Sequence, residues 1–201
     1  MSYSHTQTPI GNLLMESLEN FFKKSENLNK ILPIVTGNSN ISLRVIDWFV
    51  TNYSKKYNTS YIVDSKTNKI LKDNSNYIAE NCKQFIVYID YKLQLKGYSK
   101  KQFDPFCRRS RIKFFYNEKE FFVTTVGQLN FFRWIINSNI LDYVNDNYKI
   151  IDNDMNQCYK KQYTINKKKS QSSTRRKRQE LSISASKSLS KTNVKVIVSF
   201  D

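Results

Sequence analysis

A stretch of seventeen residues, YSKKQFDPFCRRSRIKF at positions 98–114, concentrates positive charge among aromatic residues. It has one acid, Asp104, and six cations: Lys100, Lys101, Arg108, Arg109, Arg111 and Lys113. Clustered lysine and arginine side chains can neutralise nucleic-acid phosphates, and nearby aromatic rings can stack on unpaired bases. The stretch therefore indicates a phosphate-binding surface. The solvated face of a strand, with the rings in a core, would account for the same residues.

A second basic segment lies near the C-terminal end. Nine cations and no acid occur between positions 160 and 178: Lys160, Lys161, Lys167, Lys168, Lys169, Arg175, Arg176, Lys177 and Arg178. On duplex DNA, each neutralised phosphate adds about −0.9 to the slope of log affinity against log salt. The order KKK, SQSST, RRKR also has the form of a bipartite nuclear-localisation signal. The composition does not separate polyanion binding from localisation or from a solubilising tail.

Residues suited to enzymatic chemistry are sparse. His5 is the one histidine, and the cysteines Cys82, Cys107 and Cys158 lie 25 and 51 residues apart. A zinc site needs clustered ligands, and histidine-based catalysis needs a partner for that histidine. The sequence also has no P-loop, GxGxxG, HExxH or GxSxG motif. We therefore predict a protein that is not an enzyme and that needs no metal or cofactor.

The composition favours a folded intracellular protein. The chain has 201 residues, a net charge of +16, thirteen Phe and thirteen Tyr. These rings can build the core of a body of roughly 150 residues, which is large enough to fold alone. An odd number of widely spaced cysteines suits reduced thiols. No apolar run is long enough to span a bilayer, and no secretory signal is visible.

Apolar spacing predicts a mainly helical α+β body with one β-hairpin, at about 109–125, between helices. Helices are expected from Leu13 to Phe22, over Ser25–Ile34, within Asn40–Tyr57, from Phe85 to a stop at Gly97, after the capping box Thr125-x-x-Gln128, and over Ile140–Val144. Short strands are expected at Tyr61–Val63 and Ile70–Leu71. This arrangement places the basic hairpin between two helices, and a winged-helix-like surface is one option.

The hairpin would separate cations from apolar side chains. Alternate residues on its solvent side are cations, namely Arg109, Arg111 and Lys113. A turn at Glu118-Lys119 would pair Tyr116 with Phe121 and Phe114 with Val123, which keeps the other side apolar.

Composition divides the chain into three segments. Residues 1–154 are predicted to form the globular domain, and residues 155–193 a Lys/Arg/Ser-rich tail that is disordered alone. The last eight residues, VKVIVSFD at 194–201, alternate as a strand would. They could add an edge strand to the body or remain a short apolar tail.

Three stretches resemble a small basic protein of nucleocytoplasmic large DNA viruses of the mimivirus-like group. They are ISLRVIDWFVTNYSKKY, YSKKQFDPFCRRSRI and TTVGQLNFFRWIINSNILDYV. The resemblance implies a viral protein made in the host cytoplasm and is compatible with association with the virion. It implies no reaction.

The sequence as a whole predicts a non-enzymatic nucleic-acid-binding protein with little sequence preference, associated with a genome or virion in the host cytoplasm or nucleus. The tail would supply electrostatic affinity, and the patch from Lys100 to Lys113 would orient the body. The alternative is a structural or adaptor protein that binds other virion or host proteins through its aromatic body. An acidic protein or an anionic membrane surface would be a third kind of target, although binding to a membrane is not expected.

Overall fold

The computed structural model describes residues 9–71, 82–107, 111–117 and 119–169. Its helices are α1 (Pro9–Phe22), α2 (Ser25–Thr36), α3 (Leu43–Trp48), α4 (Ser54–Tyr57), α5 (Val87–Phe103), α6 (Val126–Asn137), α7 (Ile140–Asp146) and α8 (Tyr148–Lys169), and a π-helical stretch, Phe49–Tyr53, joins α3 to α4. Its strands are β1 (Ser60–Asp64), β2 (Cys82–Ile86), β3 (Ile112–Phe115) and β4 (Phe121–Thr124). Two antiparallel hairpins, β1–β2 and β3–β4, accompany the helices. The predicted α+β class is confirmed.

Local capping groups set several helix boundaries. Ser42 Oγ accepts a hydrogen bond from the N–H of Val45 at the start of α3, at 3.3 Å. Thr125 Oγ1 does the same for the N–H of Gln128 at the start of α6, at 3.1 Å. Each bond satisfies an N–H that lacks a partner within its helix. Gly37, with φ of 78°, ends α2 in the left-handed conformation that glycine adopts without strain.

The core is built from phenylalanine rings on separate elements. Five phenylalanines are among the largest fully buried side chains: Phe22, Phe49, Phe103, Phe131 and Phe132. They come from α1, the π-helical stretch, α5 and α6, so their burial holds these elements together. Burying one such ring contributes about 1.5–3 kcal/mol relative to leaving it in water. Helix α6 is central, because it packs against α1, α2, α5 and α7.

Strand β2 occupies a segment for which we predicted the start of a helix. The segment Cys82–Ile86 pairs antiparallel with β1, and the ring of Phe85 lies 5.3 Å from that of Tyr61. The predicted strand at Ile70 contributes an isolated bridge to Val63 instead. The helical spacing around Phe85 was misleading because long-range strand pairing overrides local periodicity.

Helix α5 does not stop at Gly97 as predicted. Its helical conformation breaks at Ser99, with φ of 64° and ψ of 164°, and the helix then continues to Phe103. Such a backbone conformation costs a non-glycine residue of the order of 1–3 kcal/mol. The break redirects the chain so that Phe103 is fully buried, with its ring 5.4 Å from that of Trp134.

Helix α8 crosses the predicted end of the body at Asp154. Met155 is buried, and Cys158 and Tyr159 pack against the core, the ring of Tyr159 lying 5.3 Å from that of Trp48. Packing against the core therefore continues to Tyr159, past the predicted end of the domain at Asp154. The division into domains stays a prediction. Helix α8 continues to Lys169, and residues 170–193 of the predicted tail and the predicted strand at 194–201 lie outside the described residues. None of the helices in the described ranges is long and apolar enough to cross a membrane.

Candidate nucleic-acid interface

The β3–β4 hairpin forms where it was predicted, but its register is shifted by one residue. Phe114 pairs with Phe122 and Phe115 with Phe121, whereas we predicted Phe114 opposite Val123. The rings of Phe114 and Phe122 are both buried and lie 5.3 Å apart on the inner face. Because side chains alternate along a strand, this shift moves Phe121 and Val123 to the solvent side.

The solvent side of the hairpin combines exposed rings with cations. Phe115 is 59% exposed and Phe121 36% exposed, and their ring centroids lie 5.2 Å apart. Lys113 Nζ lies 4.7 Å from the centroid of the Phe121 ring, a distance suited to a cation–π contact. Arg111 is also exposed, and strand alternation places it on the same side. We call Arg111, Lys113, Phe115, Phe121 and Val123 the outer hairpin face.

Gly127 brings the end of α5 against the start of α6, which follows the hairpin directly. A Cβ at Gly127 would lie 3.1 Å from the carbonyl oxygens of both Lys101 and Asp104. The predicted turn follows, and the N–H of Phe106 donates to Asp104 Oδ1 at 2.9 Å. Lys100 and Lys101 are both exposed. Their backbone thus lies beside the base of the hairpin.

Several predicted binding residues are not part of the outer hairpin face. Arg108, Arg109, Arg175, Arg176, Lys177 and Arg178 lie outside the described residues. Lys167, Lys168 and Lys169 belong to the last turn of α8, in a segment that we predicted to be disordered. Among the predicted binding residues, Lys100, Lys101, Arg111 and Lys113 are described with exposed side chains, and only Arg111 and Lys113 belong to the outer hairpin face. Their role in binding stays a prediction.

The exposed rings are the part of this surface that the sequence analysis missed. The predicted register placed Phe121 on the inner face, and Phe115 was not singled out. A signal was available in the doublets Phe114-Phe115 and Phe121-Phe122. Because neighbouring residues of a strand point to opposite faces, each doublet must expose one ring if it buries the other.

Within residues 9–71, 82–107, 111–117 and 119–169, no group of three or more His, Cys, Asp or Glu side chains is placed to hold a metal ion. At the hairpin, burial and the neighbouring Glu120 carboxylate raise the pKa of Tyr116. This phenol therefore adds no negative charge beside the cations at neutral pH.

Fold and surface together define a class: a mainly helical α+β protein with a basic and aromatic hairpin face. The chain belongs to a family of unknown function, DUF7197, whose model matches residues 5–201. It is 44% identical over 148 residues to a protein of Acanthamoeba polyphaga mimivirus, Uncharacterized protein L507, and this match covers 71% of the chain and 51% of the relative. The chain thus spans about half the length of that relative. No solved structure matches. The predicted resemblance to mimivirus-like proteins is confirmed, and the relative supports a viral origin.

Proposed function

We propose that the protein binds single-stranded nucleic acid with little sequence preference through the outer hairpin face. The observation that carries the proposal is the exposed ring pair of Phe115 and Phe121 beside Lys113. A base stacked on an aromatic side chain contributes about 1–3 kcal/mol, whatever its sequence, because every base has a π-face. Lys113 and Arg111 would contact the phosphates between stacked bases.

The hairpin that carries these rings packs against the body of the protein. On its inner face, the ring of Phe114 lies 5.9 Å from that of buried Phe22, which fixes the hairpin to α1. Holding two large rings in water forgoes the stabilisation that burial would give them, and a grouped set of exposed apolar residues often marks a binding surface. Adjacent cations favour an anionic partner. Unpaired nucleic acid offers both flat apolar rings and negative charge.

The basic segments would add affinity without selectivity. Lys100 and Lys101 lie on the body, and further cations follow from Lys160 onward. Because the salt dependence of binding reflects the number of phosphates neutralised, these cations should dominate the salt slope. A role in association with a genome or virion, in the host cytoplasm or nucleus, is part of this proposal.

The test is fluorescence anisotropy of the full chain with labelled single-stranded DNA, single-stranded RNA and duplex DNA across a salt series. The double change Phe115→Ser and Phe121→Ser should weaken single-strand binding at least tenfold, because two stacked bases are lost. Lys113→Gln should reduce the salt slope on a single strand by about 0.7. Ile150→Ala, at an apolar residue of α8 that is 60% exposed, is the matched control and should bind normally.

A fourth variant separates the hairpin from the tail. Replacing Arg175, Arg176, Lys177 and Arg178 with serine should weaken binding to all three nucleic acids similarly. The hairpin proposal is refuted if this variant abolishes binding while the Phe115 and Phe121 changes leave single-strand affinity unaltered. Nucleic-acid binding would then belong to the basic segment alone.

The adaptor hypothesis makes the opposite prediction about salt. It is favoured by two further apolar side chains on α5, Ile89 and Leu93, which are 54% and 59% exposed and one helical turn apart. An interface built on such residues would bind a protein partner with little salt dependence. A chain that binds no nucleic acid at low salt would leave this as the better hypothesis.

A further inference from the structure

An open cleft of about 600 Å³ lies between α5, α6 and the β1–β2 hairpin. Its lining shares no residue with the outer hairpin face. The volume falls within the range of about 300–1,000 Å³ that is typical of small-molecule sites. We call it the Arg133 cleft. Its charged and aromatic lining residues are Lys83, Phe85, Asp90, Tyr98, Arg133 and Trp134.

The guanidinium of Arg133 is fixed by three neutral acceptors. Its Nη1 donates to Ser17 Oγ at 2.9 Å, and its Nη2 donates to Tyr98 Oη at 3.3 Å and to Asn130 Oδ1 at 2.7 Å. Asn130 is buried and is itself held, since its Nδ2 donates to the carbonyl of Gln102 at 2.9 Å. Residues from α1, α5 and α6 therefore orient one arginine side chain.

The charge of Arg133 is not neutralised by these contacts. Arg133 is partly buried, and among the described residues no carboxylate forms an ion pair with it. A cation withdrawn from water is normally paired, because its desolvation is otherwise uncompensated. The planar fork of a guanidinium matches a phosphate or a carboxylate in geometry. An oriented, unneutralised arginine at the edge of a cleft is thus suited to an anionic ligand.

The remaining charges of the cleft also favour an anion. Lys83 on β2 is exposed and supplies a second cation. Asp90 is the one acid in the lining, and its Oδ2 already accepts a hydrogen bond from Trp134 Nε1 at 2.6 Å. The lining thus has two cations, Lys83 and Arg133, and one carboxylate, Asp90, which gives it a net charge of +1.

The aromatic residues of the lining indicate which class of anion the cleft binds. Phe85, Tyr98 and Trp134 offer ring surface beside the two cations. We propose that the Arg133 cleft binds a nucleotide, with Arg133 and Lys83 on its phosphate and its base against the aromatic lining. A free mononucleotide and an unpaired nucleotide within a strand present this same chemistry. The inference does not depend on the outer hairpin face.

The two tryptophans of the chain provide a local test. Trp134 lines the cleft, whereas Trp48 donates to Asp154 and is not part of the lining. Adenosine monophosphate, inorganic phosphate and adenosine are titrated separately into ¹⁵N-labelled full-length protein. The indole N–H signal of Trp134 should shift and saturate, while that of Trp48 stays in place. The mononucleotide should bind more tightly than phosphate or adenosine alone.

Charge variants test the assignment to named residues. Arg133→Gln should weaken mononucleotide binding about tenfold or more, because it removes a charge-assisted contact. Lys83→Gln, at an exposed residue whose change leaves the core intact, should weaken it several-fold. Lys149→Gln is the matched control, because this exposed lysine on α8 does not line the cleft.

Three outcomes would overturn the inference: both indole signals shift together, neither signal saturates, or Lys149→Gln weakens binding as much as Lys83→Gln does. Titration with a five-nucleotide strand distinguishes the two ligands, a free mononucleotide and a nucleotide within a strand. If the strand saturates the Trp134 signal at a lower concentration than the mononucleotide does, the ligand of the cleft is a nucleotide within a strand. If the mononucleotide saturates the signal at the lower concentration, the ligand is a free nucleotide. If the strand binds Arg133→Gln normally and neither the strand nor the mononucleotide shifts Trp134, the cleft inference is overturned and the hairpin proposal stands.

Discussion

Asp154 anchors helix α8 to α3 and α4, and its removal gives a direct test of how this helix is held. The carboxylate is 8% exposed and accepts hydrogen bonds from Trp48 Nε1 and Tyr57 Oη, both at 3.1 Å. Lys56 Nζ donates to it as well and forms an ion pair. Burial alone would raise the pKa of Asp154, but these donors outweigh burial and hold the pKa below its ordinary value.

The expected cost of Asp154→Ala follows from these contacts. The change leaves the indole N–H of buried Trp48 without its acceptor, which costs about 1–3 kcal/mol, and hydrogen bonds to a charged group contribute about 1.5–3 kcal/mol. These terms overlap, so we expect the free energy of unfolding to fall by about 3 kcal/mol. Asp154→Asn retains an acceptor and should cost less. Lys56→Met should cost less than Asp154→Ala because the lysine side chain is 51% exposed.

Urea unfolding, followed by circular dichroism and tryptophan fluorescence, measures the effect. Asp152→Ala is the control, because this residue lies on the same helix and accepts from Asn156 on the exposed surface, at 2.9 Å. It should change stability by less than about 0.5 kcal/mol. If Asp154→Ala unfolds at the same urea concentration as Asp152→Ala, the buried cluster does not hold α8 and the reasoning is wrong.

The depressed pKa of Asp154 also fixes the sign of a pH effect. Its folded-state pKa lies below the unfolded value of about 3.9. The carboxylate therefore stabilises the fold fully above that value, and this stabilisation is lost as the pH falls through the folded pKa. Asp154→Ala should lack this part of the acid-induced loss, whereas Asp152→Ala should retain it.

Two further predictions concern Asp47 and the glycines. Burial, with a smaller contribution from Asp104, raises the pKa of Asp47 to about 7, so ionisation of Asp47 should lower the stability of the fold as the pH rises from about 4 through 7. Asp47→Asn should raise the melting temperature at about pH 8 but not at about pH 4, and identical pH profiles would contradict this. Gly127→Ala should lower the free energy of unfolding by about 1–2 kcal/mol, because its Cβ would lie 3.1 Å from backbone oxygens. Gly97→Ala, whose Cβ meets nothing within 4 Å, should raise it by about 0.5–1 kcal/mol; urea unfolding that gives both the same sign would refute the packing argument.

Helices that bury one face were predictable because their apolar residues repeat at helical spacing. Helix α1 has this pattern from Leu14 to Phe22, and α6 adds the Thr125 cap. The extension of α8 beyond Asp154 carried a weaker signal. Met155, Cys158 and Tyr159 are spaced three and four apart on one helical face, but the lysines that follow dominate the composition. The lysines of α8 indicate which side of the helix is exposed to solvent, but they do not indicate whether the opposite side packs against the core.

The candidate interface depended on a choice that local sequence could not make. The predicted register and the observed register each bury one ring of the Phe121-Phe122 doublet, so strand hydrophobicity favours neither. Contacts outside the two strands distinguish the registers. Phe114 faces Phe22 in either register, whereas Thr124 is 2% exposed only in the observed one, where its hydroxyl donates to Gln128 Oε1 at 2.7 Å.

This inward position of Thr124 has a direct consequence for the outer hairpin face. With Thr124 inside, alternation places Phe122 inside and Phe121 outside, next to Phe115. The predicted register would have placed Phe122, instead of Phe121, beside Phe115 on the solvent side of the two strands. Both registers therefore expose two rings, and the register decides which ring of β4 lies next to Phe115 and within reach of Lys113. The inward contact of Thr124 therefore determines that Phe121 belongs to the surface on which the proposed function rests.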